Sequence, residues 1–163
     1  MAAAKRTFEV HEILQEVRIG APPERVWNAL VRETSSWWHS EFYVGGEPRS
    51  FHIEAWIGGR MWEDGGGGQG LLWGTVIGVR TAEFLQVSGV LDAPFGGPAS
   101  LLTTWRLEAR DGGTVLRFQQ TTWGAAGAGT NASLDAGWRF LFERCLKEWV
   151  EAGRRVTDPA PTC

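Results

Sequence analysis

Met61 and Glu63 stand two residues apart in the stretch RMWE, Arg60 to Glu63. On a strand that spacing puts both side chains on one face. If Met61 points into an apolar interior, Glu63 follows it. A carboxylate in such a place has a raised pKa and can act as an acid or base. The ordinary alternative is that Glu63 pairs with an arginine or faces solvent at a hairpin end. Arg60 reads as structural, anchoring the turn before it. Gln120 raises a related question. In VLRFQQTTW it shares a face with Leu116, Phe118 and Thr122. A polar amide on an apolar face needs a hydrogen-bond partner, whether protein, water or ligand.

Other chemistry is weaker. Four consecutive glycines, Gly65 to Gly68, precede Gln69 and Gly70. A phosphate-binding loop needs a lysine and a Ser or Thr leading into a helix. No Lys, Ser or Thr occurs between Gly65 and Gly74, and the residues that follow have a strand pattern. A hairpin tip is expected instead, and Gly58-Gly59 reads as a second tight turn. His11, His39 and His52 are far apart and share no metal-ligand spacing. His11 and His52 fit solvent-facing strand positions, and His39 fits a cavity mouth. Ser88, Ser100 and Thr104 show no arrangement with His and Asp that makes a nucleophile. Cys145 lies inside an apolar helical stripe and Cys163 ends the chain, so a disulfide between them is not expected. Neither a metal nor a cofactor is expected, and no catalytic residue is assigned.

These residues need elements to hold them. The chain has 163 residues, enough for one domain with a real core. Residues 1–7 are expected to be flexible, 8–153 to form a single domain, and 154–163 to be a flexible tail. Phe8 to Ile19 reads as a strand with Ile13, Val17 and Ile19 on one face. Phe8 and Val10 break its phase, which suggests a bulge or a later start. Pro22, Pro23 and Glu24 suit a helix start, and Val26, Ala29 and Leu30 give it an apolar face. Thr34 to Trp38 forms a second helical turn. Strand patterns follow at 51–57, 60–63, 71–79 and 83–91. Leu101 to Ala109 places Leu101, Thr103, Trp105 and Leu107 on one face. A turn at Asp111-Gly112-Gly113 leads into the strand holding Gln120. A long amphipathic helix is expected from about Ala132 to Gly153, capped by Asn131 or Ser133. Leu134, Trp138, Leu141, Cys145, Trp149 and Ala152 form its stripe. Phe142, Leu146 and Val150 widen that stripe.

The fold class is therefore α+β, an antiparallel sheet with one helix lying across it. Incomplete packing between the two would leave an apolar cavity. The ten tryptophans either line such a cavity or fill it. Trp73, Trp105, Phe118 and Trp138 are the aromatic wall candidates. Met61, Leu141 and Cys145 are the smaller apolar ones, and Glu63 and Gln120 are the polar ones. The net charge of -3, with no run of Lys or Arg, argues against a nucleic-acid partner. No stretch is long and apolar enough for a signal peptide or membrane span, so no membrane insertion and a cytoplasmic location are expected.

The order of elements resembles the helix-grip arrangement of the START/Bet v 1-like (SRPBCC) superfamily. In that fold a curved sheet wraps one long C-terminal helix, with two short helices after the first strand. The segments APPERVWNALV with Trp37-Trp38, IGGRMWE, LLWGTVIGV, TWRLEARDGGTVLRF and DAGWRFLFERCLKEWVEAG resemble the branch related to the C-terminal domain of the activator of heat-shock protein 90 ATPase. Together they extend from about Val17 to Gly153. The resemblance implies a cavity for a hydrophobic small molecule, lipid or polyketide-like, for transport or sensing. It also implies two alternatives. One is a cyclase or dehydratase using a cavity carboxylate, for which Glu63 is the candidate. The other is an interaction domain with a chaperone partner, a reading weakened because those activators carry a second domain. A homodimer is left open.

Overall fold

The computed structural model describes residues 6–44 and 50–160. Expectations for residues 1–5, 161–162 and Cys163 lie outside those residues. Seven strands form one antiparallel sheet: β1 (Glu9–Ile19), β2 (Ser50–Ile53), β3 (Arg60–Gly66), β4 (Gln69–Arg80), β5 (Phe84–Leu91), β6 (Ala99–Arg110) and β7 (Gly113–Gly124). Their order across the sheet is β1-β7-β6-β5-β4-β3-β2, so the chain meanders from β2 to β7 and β1 closes the far side. Helices α1 (Pro23–Arg32) and α2 (Thr34–Trp37) follow β1. The C-terminal helix comprises α3 (Ala128–Phe140), a π-helical turn (Leu141–Leu146) and α4 (Lys147–Ala152), without a break.

Alternation fixes which side of each strand is covered. On β1, Ile13, Gln15, Val17 and Ile19 are buried while Leu14, Glu16 and Arg18 are exposed. On β6, Thr103, Trp105 and Leu107 face inward, and on β7, Leu116, Phe118, Gln120 and Thr122 do. The helix lays Trp138, Leu141, Phe142, Cys145 and Leu146 onto this surface. α1 adds Val26, Ala29 and Leu30 to the same core.

The glycine run is a hairpin. Gly66 pairs with Gln69, and the two turn residues, Gly67 and Gly68, have φ of 63° and 81°. Both angles lie in the left-handed region that glycine enters without a steric penalty, which explains the residue type without any ligand.

Five expectations are corrected. β1 runs in continuous register with β7 from Glu9, with no bulge, and Val10 simply faces solvent. His11 lies on the partly covered face of β1, where its ring contacts the Glu9 carboxylate at 2.8 Å. β2 stops at Ile53, because the chain turns through Trp56 and Ile57, which are exposed. The C-terminal helix begins at Ala128 with Gly127 as its cap, and neither Asn131 nor Ser133 caps it. Residues 154–160 are not a loose tail. Val156 is buried, the Arg155 guanidinium donates to the Trp38 carbonyl at 3.1 Å, and the Ala160 N–H donates to the Glu41 carboxylate at 3.1 Å.

Candidate functional site

Trp38, Phe51, Trp73, Trp105, Phe118, Trp138 and Phe142 meet between sheet and helix. Trp38 stacks on Phe51 at 4.0 Å and meets Trp73 and Trp138 edge-on at 5.5 and 6.0 Å. Trp138 lies parallel to Phe142 at 5.3 Å and close to Phe118 at 4.8 Å. One half of the grip is thus filled with rings. The other half is open: a cavity of about 230 Å³ lies between β3–β7 and the start of the C-terminal helix. Met61, Trp73, Trp105, Gln120 and Trp138 line it, with Leu134 from the helix. The segment Glu41 to Val44 forms one rim, and Val90 and Phe95 form another.

Local irregularities in the sheet make this space. Met61 pairs with Gly74 but Trp62 pairs with Leu72, so Trp73 is the extra residue of a β-bulge on β4. A bulge re-aims a side chain. Here the Trp73 ring turns toward Trp38, Phe51 and Trp138. Beside it, Gly74 pairs with Gly89. A Cβ on Gly89 would stand 2.2 Å from the Trp73 carbonyl oxygen, so only glycine fits there. The missing side chain leaves bare backbone in the cavity wall, which includes Gly89.

Glu63 is 1 % exposed and does not face solvent. Its carboxylate accepts hydrogen bonds from the Val44 N–H, at 2.9 and 3.0 Å to its two oxygens, and from Trp73 Nε1 at 2.8 Å. It is not among the cavity-lining residues. These hydrogen bonds hold one rim of the cavity and one wall, because Val44 and Trp73 belong to those. Tyr43, next along that rim, has its phenol pKa raised. Burial is the main cause and the Glu63 charge adds to it, while the Arg155 charge opposes both.

Gln120 is 1 % exposed and tied to the helix. Its Oε1 accepts from Trp138 Nε1 at 2.9 Å and, at a longer 3.4 Å, from the Thr103 hydroxyl. The indole has only a donor, so this bond fixes which end of the amide faces the helix. Of the remaining candidates, Phe118, Leu141 and Cys145 belong to the packed core and do not line the cavity. Burial pushes the Cys145 thiol up to about 12, which keeps it protonated and unreactive.

The histidines stay apart. His39 is buried, with Nδ1 accepting from the Glu41 N–H at 3.3 Å and Nε2 lying 2.9 Å from the Asp158 carbonyl oxygen. His52 is exposed and hydrogen-bonds the Ser50 hydroxyl. Among the described residues, no cluster of three or more His, Cys, Asp or Glu could hold a metal ion. Nor is any helix among them long and apolar enough to cross a membrane.

Several wall positions are not among the candidates drawn from the sequence. Leu71, Val87, Leu91 and Leu101 face inward by strand alternation, the same signal that places Trp105. The rim residues Phe42, Tyr43 and Val44 lie in irregular chain with no periodic pattern to give them away.

A seven-stranded antiparallel sheet gripping one C-terminal helix, with an internal cavity at one end, defines a helix-grip protein. Residues 20–151 match the family model described as Activator of Hsp90 ATPase homolog 1-like protein, and the chain belongs to that family. No curated protein matches it significantly. Among solved structures, it is similar to protein MLL2253 from Mesorhizobium loti, at 20 % identity and a TM-score of 0.65, over 88 % of this chain and 99 % of that one. It is also similar to the Aha1 dimer from Colwellia psychrerythraea, at 18 % identity and a TM-score of 0.62, over 88 % and 98 %. Ara h 8.0201 matches at 15 % identity and a TM-score of 0.61, over 87 % and 98 %. At these identities the likeness establishes the fold.

Proposed function

We propose that the chain binds a hydrophobic small molecule in the cavity between the C-terminal helix and the sheet, without a cofactor, for transport or sensing. The observation that carries this reading is the cavity of about 230 Å³, whose walls include Met61, Trp73, Trp105, Trp138 and Leu134. Its formation costs packing: a void forfeits dispersion contacts around its lining. An apolar occupant restores those contacts and gains about 25 cal/mol for each Å² of apolar surface removed from water. The test is native mass spectrometry of the protein purified from its own host, beside the variant Leu134→Trp. The expected result is a non-covalent small-molecule adduct that the variant lacks, because the larger ring fills the space. No adduct, together with tryptophan fluorescence unchanged by added tetralin, defeats the proposal.

The family match supports a second reading, interaction with a chaperone ATPase. Mixing with heat-shock protein 90 and measuring its ATPase rate tests that reading, and an unchanged rate removes it. A homodimer is the proposal that corresponds to the dimeric Colwellia psychrerythraea relative, and light scattering decides it.

A further inference from the structure

The cavity wall holds one polar group whose hydrogen bond goes unmade. Trp105 is 1 % exposed and lines the cavity, yet its Nε1–H has no hydrogen-bond partner among the described residues. A buried donor left unsatisfied is costly, and native proteins rarely carry one without a reason. Trp138, whose indole also lines the cavity, spends its N–H on Gln120, and Trp73 spends its own on Glu63. Trp105 alone of these three keeps its donor.

Its neighbour sharpens the point. Thr103 stands two residues away on the same face of β6, and it too lines the cavity. Its hydroxyl donates to Gln120 Oε1 at 3.4 Å, a long contact to an oxygen already taken by Trp138 at 2.9 Å. The hydroxyl is free to rotate toward a better acceptor. An indole N–H donates and cannot accept, so the unspent capacity at this end of the cavity is for an acceptor.

We infer that the ligand carries a hydrogen-bond acceptor, a carbonyl oxygen on a small ring system, received by Trp105 Nε1–H with the Thr103 hydroxyl beside it. The inference rests on the proposed binding function and narrows it. The size follows from the volume. A cavity of roughly 150 Å³ holds a single benzene ring, so about 230 Å³ suits two fused rings. The chemical class is a bicyclic aromatic ketone, apolar over its rings and polar at one edge.

The test compares 1-tetralone with tetralin, its hydrocarbon counterpart, by calorimetric titration. If apolar burial alone governed binding, tetralin would bind more tightly, because it is the less soluble in water. The expected result is the reverse order, with 1-tetralone about three- to tenfold tighter. In Trp105→Phe the ratio of the two affinities should revert to the order set by apolar burial, with tetralin the tighter, whatever happens to either affinity alone. A second reading needs no variant. The indole proton of Trp105, assigned through its contacts with Phe118 and Trp138, should move downfield with 1-tetralone and not with tetralin. Tetralin binding as well as or better than 1-tetralone overturns the acceptor site and leaves hydrophobic binding standing. Failure of both probes to bind overturns the two-ring acceptor site, and the native mass spectrum then decides the binding reading separately.

Discussion

Glu63 is the residue that the sequence made interesting, and the fold gives its carboxylate a task in holding the structure. Its alternation with Met61 does carry it inward, but the carboxylate stops behind Trp73. There it pairs two donors from half-buried residues, the Val44 N–H and the Trp73 indole. A charged acceptor makes such bonds stronger than a neutral one does. Replacing it by Leu, close in volume but unable to accept, leaves both donors without it. Glu63→Leu should therefore lower stability by about 2–4 kcal/mol, read from the urea midpoint. It should also weaken tetralin binding, since the Trp73 wall and the Val44 rim lose their common anchor. A variant as stable as the parent would show that these contacts contribute little. Trp105 illustrates the opposite limit of a sequence reading. Its inward direction follows from strand alternation, but whether its N–H finds a partner depends on what β7 and the helix bring near it. No local pattern contains that information.

At the scale of elements, the helices are joined to one another by Glu33, at the end of α1. Its carboxylate accepts from the Arg25 guanidinium at 2.9 Å, from the Asn28 amide, and from Trp149 Nε1 of α4 at 2.6 Å. Burial alone would raise its pKa. The bonds from Trp149, Arg25 and Asn28, with the Arg25 charge, outweigh burial and hold it below its ordinary value of 4.5. A depressed folded-state pKa means stability that is complete above the unfolded value and is lost as pH falls through the folded one. Melts over a pH series should thus show stability declining below about pH 4.5, with a shallower decline in Glu33→Gln. Equal slopes would remove Glu33 from acid unfolding. Near neutrality the substitution should cost about 1 kcal/mol. The strands were legible element by element because period-two alternation is local. The π turn was written less plainly. Leu134, Trp138, Phe142, Leu146 and Val150 recur every four residues, and such a stripe rotates ahead of a 3.6-residue turn. One wider turn takes back that rotation and keeps Leu141, Phe142, Cys145 and Leu146 all on the sheet. The bulge at Trp73 was not legible at all, since it exists only in the register between β3 and β4.

For the molecule as a whole, the C-terminal residues link the fold's stability to access to its cavity. Gly153 ends the helix with a positive φ of 64° and turns the chain back over the core. Val156 is then buried, Arg155 reaches the Trp38 carbonyl, and Asp158 and Ala160 reach His39 and Glu41. His39 Nδ1 accepts from the Glu41 N–H, so Nε2 carries the proton and donates to the Asp158 carbonyl. A polar, proline-containing sequence gave no sign of this, because the contacts are made with residues more than a hundred positions away. Glu41 to Val44 also forms the cavity rim, held by the C-terminal residues on one flank and by Glu63 on the other. Ending the chain after Gly153 keeps the helix cap and removes only the C-terminal clasp. The truncated protein should lose about 1–3 kcal/mol, from the burial of Val156 and the freed hydrogen bonds. At about 2–4 °C per kcal/mol for a chain of this size, the melting temperature should fall by several degrees. The change should be uneven. Amide hydrogen exchange should quicken in residues 40–44 far more than in β6 and β7, and tetralin should both enter and leave faster. Exchange that rises evenly across the sheet, or not at all at 40–44, would reduce the C-terminal residues to general packing and leave the rim to be held by Glu63 alone.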